Sequence, residues 1–449
     1  MVLKASKTAA VLAALTLAVG GCRNRELTLT VIDPGHFHAS LLQKNMLDGV
    51  SPDVSVYAPE GEELQQYLST VESFCARPAN PTTWKEKVYA GDDYLDRLPE
   101  GHGNIAVLAG NNRRKSDYIL TAVSKGYNVL SDKPLAIDSA GFSRLEKAYS
   151  EAGDKGLVIY DLMTERYDIL NILVREIVNS PDVFGEFDAT KGPAVKMTSV
   201  HHFYKEVAGA PLMRPQWYYD VRQQGEGIAD VTTHLIDLVF WQCFPDKPVT
   251  TDMVRVDSAS HYPTVVTLEQ FRKSTGADSF PEYLSGVEKD GAISVMANGS
   301  ISFTAGSLPV EMNVRWNWMP AEGQADTFEA IYRGTLANVI VYQDARSNYV
   351  KSLAVESSDF GKRAVNMKAL SDLMRKYPFV TLRIGVGDYG ADIMVPAEDR
   401  PGHEDHFNMV AEQMLKYVRG QERLPDWEVP NTLSKYYITT TATEMAVEK

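Results

Sequence analysis

The first third of the chain alternates short apolar runs with amphipathic helical patterns. The apolar runs predict strands at 26–32, 54–57, 104–109, 127–130 and 156–160, and the amphipathic patterns predict helices at 36–48, from 62 to about 68, 115–125 and 139–153. Strands that are apolar throughout and alternate with helices indicate a parallel sheet covered on both faces. We therefore predict a doubly wound α/β domain, in which ligands bind beyond the carboxyl ends of the strands.

The pattern changes after about residue 165, where polar and apolar positions alternate. This alternation predicts strands at 195–204, 293–304, 309–318, 327–333, 337–343 and 379–385, with helices at 168–178, 227–243, 266–274, 361–375 and 403–418 and a loop at LPDWEVP. Alternating strands favour a mixed or antiparallel sheet with one covered face. The predicted architecture is thus a Rossmann-like domain over 23–165 and an α+β domain over 166–449 with a large open-faced sheet.

The N-terminal segment MVLKASKTAAVLAALTLAVGGC has the features of an export signal. Lys4 and Lys7 precede an apolar run at 8–19 that is too short to span a bilayer. Val19 to Cys22 resembles a bacterial lipobox, in which Cys22 is lipidated; the alternative is a plain signal peptide with an incidental cysteine. We predict that residues 1–22 are a lipoprotein signal and that the protein is lipid-anchored in the bacterial cell envelope.

Composition narrows the choice of partners. The net charge of −14 argues against a broad phosphate-binding face, so nucleic acid is a poor candidate. Cys75 and Cys243 could pair in an oxidising compartment. They fall in different predicted domains, and Cys243 lies in an apolar helical pattern, so two buried thiols are favoured.

Two segments carry side chains suited to chemistry. On a helix over 227–243, Asp230, His234 and Asp237 fall within an arc of about 60°, and the other positions are nearly all apolar, which indicates a buried helix. Buried charge is costly unless it is paired or used, so this stripe is either a site or a structural His–Asp pair. The second segment, SDKPLA, places Lys133 at a strand end, where partial desolvation favours the neutral amine; a solvated turn is the alternative.

Together these segments resemble the glucose–fructose oxidoreductase / inositol dehydrogenase (Gfo/Idh/MocA) family. That family carries an acid-Lys-Pro motif after the fifth Rossmann strand, here Asp132-Lys133-Pro134, and later a glycine-rich helix start with Asp, His and Asp. Further similarity lies in Gly225-Glu226-Gly227, the preceding Trp217 and Asp220, VLAGNN and LPDWE. The resemblance implies a nicotinamide cofactor, with Lys133, His234 and Asp230 as catalytic residues and a homo-oligomer formed through the second sheet.

The first turn departs from the family's G-x-G-x-x-G pattern. Aligned with it, Asp33 to His38 keeps only the middle glycine, Gly35, which lets the backbone approach a pyrophosphate. An anion such as Asp33 is unfavourable there unless it faces away, and the pair His36 and His38 is either a cofactor contact or a metal site. The predicted cofactor-binding residues are Gly35, His36, Phe37, Glu60, Asn111, Asn112, Asp132 and Lys133. NAD is preferred over NADP because no basic residue follows the second strand.

Substrate contacts are expected on the second domain. The resemblance suggests Arg166 after the sixth strand, together with Trp217, Asp220 and Asp237. His202 lies on a predicted strand that either faces substrate or is exposed. The aromatic segment 203–219 suits either sugar stacking or an ordinary core. Gly402 to His406 has a metal-like composition, but a helix start explains its acids equally well, and no metal is assigned.

The sequence therefore predicts an NAD-dependent oxidoreductase that acts on a secondary hydroxyl of a sugar or glycoside, with C3 suggested by the family. His234 would be the base, Lys133 the orienting cation, and Asp230 would either fix the histidine tautomer or bind a neighbouring hydroxyl. Free NAD is scarce outside the cytoplasm, so a retained cofactor and ping-pong kinetics are expected, with a role in glycan breakdown. Two alternatives remain: a glycosidase that works by oxidation, elimination and reduction, and a non-catalytic sugar-binding lipoprotein.

Overall fold

The computed structural model describes residues 26–207, 210–359, 364–385 and 390–448. The predicted signal segment and its lipidation site, Cys22, lie outside these ranges. Within them, no helix has the length and apolar character needed to cross a bilayer. Cys75 and Cys243 are both free thiols and are partly buried rather than fully so.

The N-terminal unit is a six-stranded parallel sheet with the order β3-β2-β1-β4-β5-β6. Its strands are β1 Leu27–Ile32, β2 Val50–Ala58, β3 Lys85–Ala90, β4 Ile105–Leu108, β5 Asn128–Ser131 and β6 Ile159–Asp161, and its helices are α1 His38–Leu41, α2 Glu62–Ala76, α3 Lys115–Ser124 and α4 Ser139–Lys155. This order reverses between β1 and β4, which is the Rossmann arrangement. The predicted doubly wound parallel sheet is confirmed.

Two predicted helix extents in this unit are wrong. The helix predicted over 36–48 is one turn long, because side chains of Trp84 and Arg77 donate hydrogen bonds to the carbonyl oxygens of Gln43 and Lys44. Helix α4 begins at Ser139 as predicted and is capped by Asp138, which accepts a hydrogen bond from the Gly141 backbone. The same helix continues past Gly153 and ends at Gly156, whose φ of +65° suits a glycine. Strand β3 was not predicted, because it begins with the charged residues Lys-Glu-Lys instead of an apolar run. Charged residues of this kind are common in strands at the edge of a sheet.

The second unit is an eleven-stranded mixed sheet with the order β17-β18-β16-β15-β14-β7-β13-β12-β10-β19, with β11 paired to β12. Its strands are β7 Val195–His202, β10 Val254–Thr267, β11 Glu288–Lys289, β12 Ala292–Ala305, β13 Leu308–Asn317, β14 Thr327–Arg333, β15 Ala337–Gln343, β16 Ser352–Ser357, β17 Thr381–Ile384, β18 Gly390–Met394 and β19 Val447–Glu448; β8 Glu206–Val207 and β9 Ala210–Pro211 form a separate hairpin. The pairs β13–β7 and β10–β19 are parallel and the others antiparallel. The predicted mixed sheet is confirmed.

The helices of the second unit pack against part of its mixed sheet, and some of them also contact the N-terminal unit. They are α5 Ile169–Val178, α6 Val221–Gln224, α7 Gly227–Cys243, α8 Leu268–Thr275, α9 Met367–Met374, α10 His403–Val418 and α11 Glu428–Met445. The bounds of α7 and α10 are those predicted. LPDWEVP was predicted as a loop, but its last residues begin α11. That helix was missed because its buried side is polar, with Ser434, Thr439 and Thr440 bonded to backbone carbonyls.

Helix α10 completes the core of the first sheet. Its Phe407, Val410 and Met414 are buried in the same apolar cluster as Leu29 of β1 and Val54 of β2. The amphipathic pattern of α10 therefore serves the N-terminal sheet, although the helix lies in the range predicted for the second domain. The first core extends beyond the predicted boundary at residue 165.

A network of buried ion pairs joins the two units. Lys435 of α11, which is fully buried, contacts Asp161 at the end of β6 and Asp237 of α7, each at 2.9 Å. Arg166 contacts the same Asp237 at 2.7 Å and Glu428 at 2.8 Å. The substrate roles predicted for Arg166 and Asp237 must be corrected, because both side chains are neutralised inside the protein.

We expect Lys435→Met to destabilise the protein by about 3–5 kcal/mol, because it leaves Asp161 and part of Asp237 as uncompensated buried charge. The measurement is equilibrium denaturation followed by circular dichroism. Lys368→Met is the matched control, since Lys368 is an exposed lysine paired with Asp372 one helical turn away. Its denaturation midpoint should equal that of the wild type, and an equal shift in both variants would contradict a special role for Lys435.

Candidate active site

A crevice of about 610 Å³ opens at the point where the strand order reverses. Among its lining residues are Asp33, Gly35, Glu60, Asn111 and Trp217. The turns after β1 and β4 pack closely here, since a Cβ on Gly110 would lie 2.1 Å from the Asp33 carbonyl oxygen. Carboxyl ends of strands at such a reversal are where this fold binds its ligands. Of the predicted cofactor residues, Gly35, Glu60 and Asn111 line this crevice.

Asp33 occupies the place of the family's first glycine without placing a free charge in the crevice. Its Oδ2 accepts a hydrogen bond from the Tyr118 hydroxyl at 2.8 Å, and its backbone has a φ of +50°. Burial raises the pKa of Asp33, and this outweighs the opposing effect of the Tyr118 hydrogen bond. The carboxylate is therefore held by a side chain of α3, and both Asp33 and Tyr118 line the crevice.

No basic residue follows β2, as the sequence analysis states, but arginines from other elements reach the crevice. Arg113, Arg114 and Arg144 line it together with Glu60. They come from the β4–α3 turn and from α4, so inspection of the residues after β2 could not find them. The lining also carries five carboxylates, and Arg144 is paired with Asp117 at 2.9 Å, so its charges do not distinguish NAD from NADP.

The catalytic residues predicted from the two sequence segments lie together. Lys133 follows β5, its bond to Pro134 is cis, and its Nζ forms an ion pair with Oδ1 of Asp230 on α7. Burial opposes ionisation of Asp230, but the Lys133 ammonium holds the pKa of that carboxyl below its usual value. Lys133 therefore has a carboxylate partner, which the sequence pattern did not reveal.

His234 lies one helical turn beyond Asp230 on α7. Burial and the positive charge of Lys133 lower the pKa of His234 to about 4, so its imidazole is neutral at physiological pH. Its Nδ1 is buried and has no hydrogen-bond partner among the described residues. Asp230 binds Lys133 instead of this nitrogen, and the tautomer-fixing role predicted for Asp230 must be corrected to one of positioning the lysine.

A carboxylate that the sequence analysis passed over also acts on His234. Glu165 follows β6 and is paired with Lys351, whose Nζ lies 2.9 Å from Glu165 and 2.8 Å from Asp168. Lys351 lowers the pKa of Glu165 to about 2 against the effect of burial, and the charge of His234 acts in the same direction. Glu165 could have been identified from its position directly after a strand. No sequence feature pointed to Lys351, which comes from a distant loop.

Lys115 at the start of α3 is a buried lysine that the sequence pattern did not reveal. Its Nζ donates to Oδ1 of Asn112 at 2.5 Å, and burial lowers its pKa to about 8. The Asn112 amide in turn donates to the Gln224 carbonyl at 2.8 Å. Asn112 therefore ties the β4–α3 turn to the segment before α7, and its predicted cofactor contact is replaced by this structural role.

The remaining predicted substrate residues have partners within the protein. Asp220 caps α6 and binds Arg222 and Gln223 through both carboxylate oxygens. His202 contacts Asp326 at 2.8 Å. Trp217 is buried and lines the crevice beside Gly35. Phe203, Tyr218 and Tyr219 are core residues, so for them the core alternative applies.

Three other predicted cofactor residues lie beside the crevice, not in it. His36 and Phe37 line a smaller cavity of about 250 Å³ together with Tyr218. Asp132 is buried, and its Oδ2 lies 3.0 Å from Nδ1 of His38 and 3.4 Å from Nδ1 of His36. Histidines 403 and 406 form no such group of three ligand residues with their neighbours within the described ranges.

Comparison with known proteins identifies the family. Residues 173–447 match the family model described as "Putative oxidoreductase C terminal domain". A solved structure named "putative oxidoreductase" from Parabacteroides merdae is 41% identical, with a TM-score of 0.89 over 94% of this chain and 97% of that one. The chain belongs to this oxidoreductase family. The resemblance to the Gfo/Idh/MocA type is thereby confirmed.

More distant structures share the fold of this oxidoreductase. KijD10, a 3-ketoreductase from Actinomadura kijaniata in complex with NADP and TDP-benzene, is 10% identical with a TM-score of 0.55 over 94% of this chain and 98% of that one. Biliverdin reductase from Synechocystis, in complex with biliverdin and NADP+, is 9% identical with a TM-score of 0.55 over 94% and 99%. No curated protein matches the sequence.

The glycine-rich start of α7 has a packing explanation in this oxidoreductase. Gly225 has a φ of +93°, which a side chain disfavours. A Cβ on Gly227 would lie 1.8 Å from the Ala297 carbonyl oxygen of β12. Gly227 therefore lets α7 approach the second sheet, and this approach sets where Asp230 and His234 lie.

We expect Gly227→Ala to lower stability by about 1–3 kcal/mol, because α7 must move away from β12 to admit the methyl group. The displacement should also reduce activity more than the loss of folded protein explains. Thermal unfolding and specific activity per folded molecule are the measurements. Gly286→Ala is the control, since a Cβ there meets no atom within 4 Å; equal behaviour of the two variants would contradict the packing argument.

Proposed function

We propose that this oxidoreductase interconverts a secondary hydroxyl and a ketone on a sugar or glycoside, with a nicotinamide dinucleotide as redox cofactor. The observation that carries the proposal is the convergence of Lys133, Asp230 and His234 at the carboxyl end of β5. A neutral imidazole and a cation at one place are what removal of a hydroxyl proton requires.

The crevice has features that fit a dinucleotide. At Gly35 an added Cβ would meet its nearest atoms, on Gly110 and Trp217, at 3.6 Å, which is ordinary contact. Protein packing alone therefore does not require a glycine there, whereas close approach of a pyrophosphate does. The lining contains Arg113, Arg114 and Arg144, the last paired with Asp117, together with five carboxylates. NADP in the two distant relatives supports a cofactor of this class.

The residues of this chain would handle the substrate proton. A bound nicotinamide would supply the hydride acceptor or donor. Neutral His234 would accept the hydroxyl proton during oxidation and return it during reduction. The Lys133 ammonium, held in place by Asp230, would donate a hydrogen bond to the same oxygen and stabilise the negative charge that develops on it. Glu165, which lies near His234, would stabilise the imidazolium formed in that step.

A sugar substrate is supported by the 3-ketoreductase among the distant relatives, and C3 is the carbon that this relative suggests. The lipobox-like segment ending at Cys22 supports a location in the cell envelope. An enzyme at that location would have to keep its cofactor between turnovers, so the proposal includes a retained dinucleotide and a second substrate that restores its redox state.

We expect the purified protein to release close to one equivalent of dinucleotide when it is denatured. Mass spectrometry of the supernatant measures the amount and distinguishes NAD from NADP. Gly35→Val should lose the dinucleotide while it keeps the wild-type circular dichroism, because its branched side chain enters the crevice. A folded wild type that neither contains nor binds either dinucleotide would favour the sugar-binding alternative.

We expect His234→Gln and Lys133→Met each to reduce kcat by about 10²–10⁴-fold, the range typical of a lost general base or its partner. Because the pKa of His234 is lowered to about 4, the wild-type kcat/KM should stay constant from neutral pH down to about pH 5 and fall only below it. The measurement is a pH profile with glycosides and their keto-derivatives.

The control for these variants is His102→Gln, an exposed histidine in the loop before β4, which should keep wild-type kinetics. Retention of full activity by His234→Gln would exclude the imidazole as the base. Release of phenol from an aryl glycoside without accumulation of a keto-sugar would instead support the oxidation–elimination–reduction glycosidase.

A further inference from the structure

We propose that His36, His38 and Asp132 bind a divalent transition-metal ion, of the Zn²⁺ or Fe²⁺ type, between the ends of β1 and β5. Nδ1 of each histidine and an oxygen of Asp132 all lie within 4.8 Å of one another. The proposed site goes beyond the redox function argued above and does not depend on it.

The donor spacing is that of a metal site. Asp132 Oδ2 lies 3.0 Å from Nδ1 of His38 and 3.4 Å from Nδ1 of His36. Ligands about 2.0–2.1 Å from a tetrahedral ion are separated from each other by about 3.3 Å. The two imidazole rings are nearly perpendicular, with an interplanar angle of 86° and centroids 4.1 Å apart, so they do not stack face to face and both nitrogens can point at one position.

Hydrogen bonding within the protein accounts for only part of the cluster. His38 bonds Asp132, but Nδ1 of His36 is buried and makes no hydrogen bond within the described residues, although it lies 3.4 Å from the same oxygen. A buried imidazole nitrogen with no partner is unfavourable. A shared metal ion would satisfy this nitrogen and the carboxylate together.

The donor set also suits a transition metal. Metal binding takes imidazole in its neutral form and carboxylate in its ionised form. Two histidines with one carboxylate suit zinc and non-haem iron.

The site would be accessible from the smaller cavity. His36 lines the 250 Å³ space that also borders Gly35, Phe37 and Tyr218, and none of the three ligand residues lines the larger crevice. Metal and dinucleotide would therefore occupy separate spaces. Asp132 directly precedes Lys133, so an ion here would lie close to the proposed reaction centre with a coordination position open to a hydroxyl or carboxylate oxygen of a ligand.

The test is direct metal binding by the full-length protein after removal of metals with a chelator. We expect one Zn²⁺ per chain by elemental analysis and calorimetry, a rise in Tm on adding Zn²⁺, and visible absorption bands on adding Co²⁺. His38→Gln and Asp132→Asn should each weaken Zn²⁺ binding by at least about 100-fold. Loss of a residue that only hydrogen-bonds a metal ligand already lowers metal affinity by about 10–100-fold.

His403→Gln is the matched control, because its ring lies 6.1 Å from that of His38 but outside the group of three. It should bind Zn²⁺ like the wild type. Folding of each variant is checked by circular dichroism. A folded wild type that binds no Zn²⁺ or Co²⁺, or variants that bind both ions as tightly as the wild type, would overturn the site. The readout is bound metal, so a negative result leaves the oxidoreductase proposal intact, and a missing dinucleotide leaves the metal site intact.

Discussion

Lys435 and Arg166 bring two positive charges into the interior, and the position of α7 depends on how those charges are neutralised. Asp237 forms ion pairs with both cations, Asp161 pairs with Lys435, and Glu428 pairs with Arg166. The network therefore connects the end of β6, the middle of α7 and the helix α11. Removing one member leaves charge in a medium that solvates it poorly. Asp230 and His234 lie on the same face of α7 as Asp237, less than two turns from it.

Side chains of opposite charge act on His234 in the candidate site. Their opposing effects on its pKa leave the imidazole neutral and able to accept a proton. His234 lies between the Lys133 cation, which disfavours its protonation, and the Glu165 carboxylate, which favours it. Each of these neighbours has its own partner, Asp230 and Lys351 respectively. Lys133 is distant in sequence from Asp230, and Glu165 is distant from Lys351. The opposing effects of these charges on the pKa of His234 therefore depend on how the two units pack together.

Sequence patterns predicted what depends on local periodicity. The parallel sheet, the bounds of α7 and α10, and the pairing of the Lys133 segment with the Asp230–His234 helix all follow from apolar spacing and the family motif. Residues with long-range partners could not be assigned: Arg166 and Asp237 looked like site residues because nothing local shows that Lys435 and Glu428 neutralise them. Helix α11 was missed for the same reason, since its buried polar face is satisfied only in the folded state. Arg144 and Lys351 likewise come from segments that no motif connects to the site, whereas Arg113 and Arg114 directly follow the VLAGNN motif.

The packing of α10 onto β1 and β2 has a consequence for biosynthesis. The first strands to leave the ribosome expose apolar surface that is covered only when residues 403–418 have been made. The N-terminal sheet therefore cannot complete its core while synthesis is under way, and the nascent chain carries an uncovered face for most of its translation. Such a chain is a natural client for chaperones, and its two units are expected to reach the native state together, not one after the other.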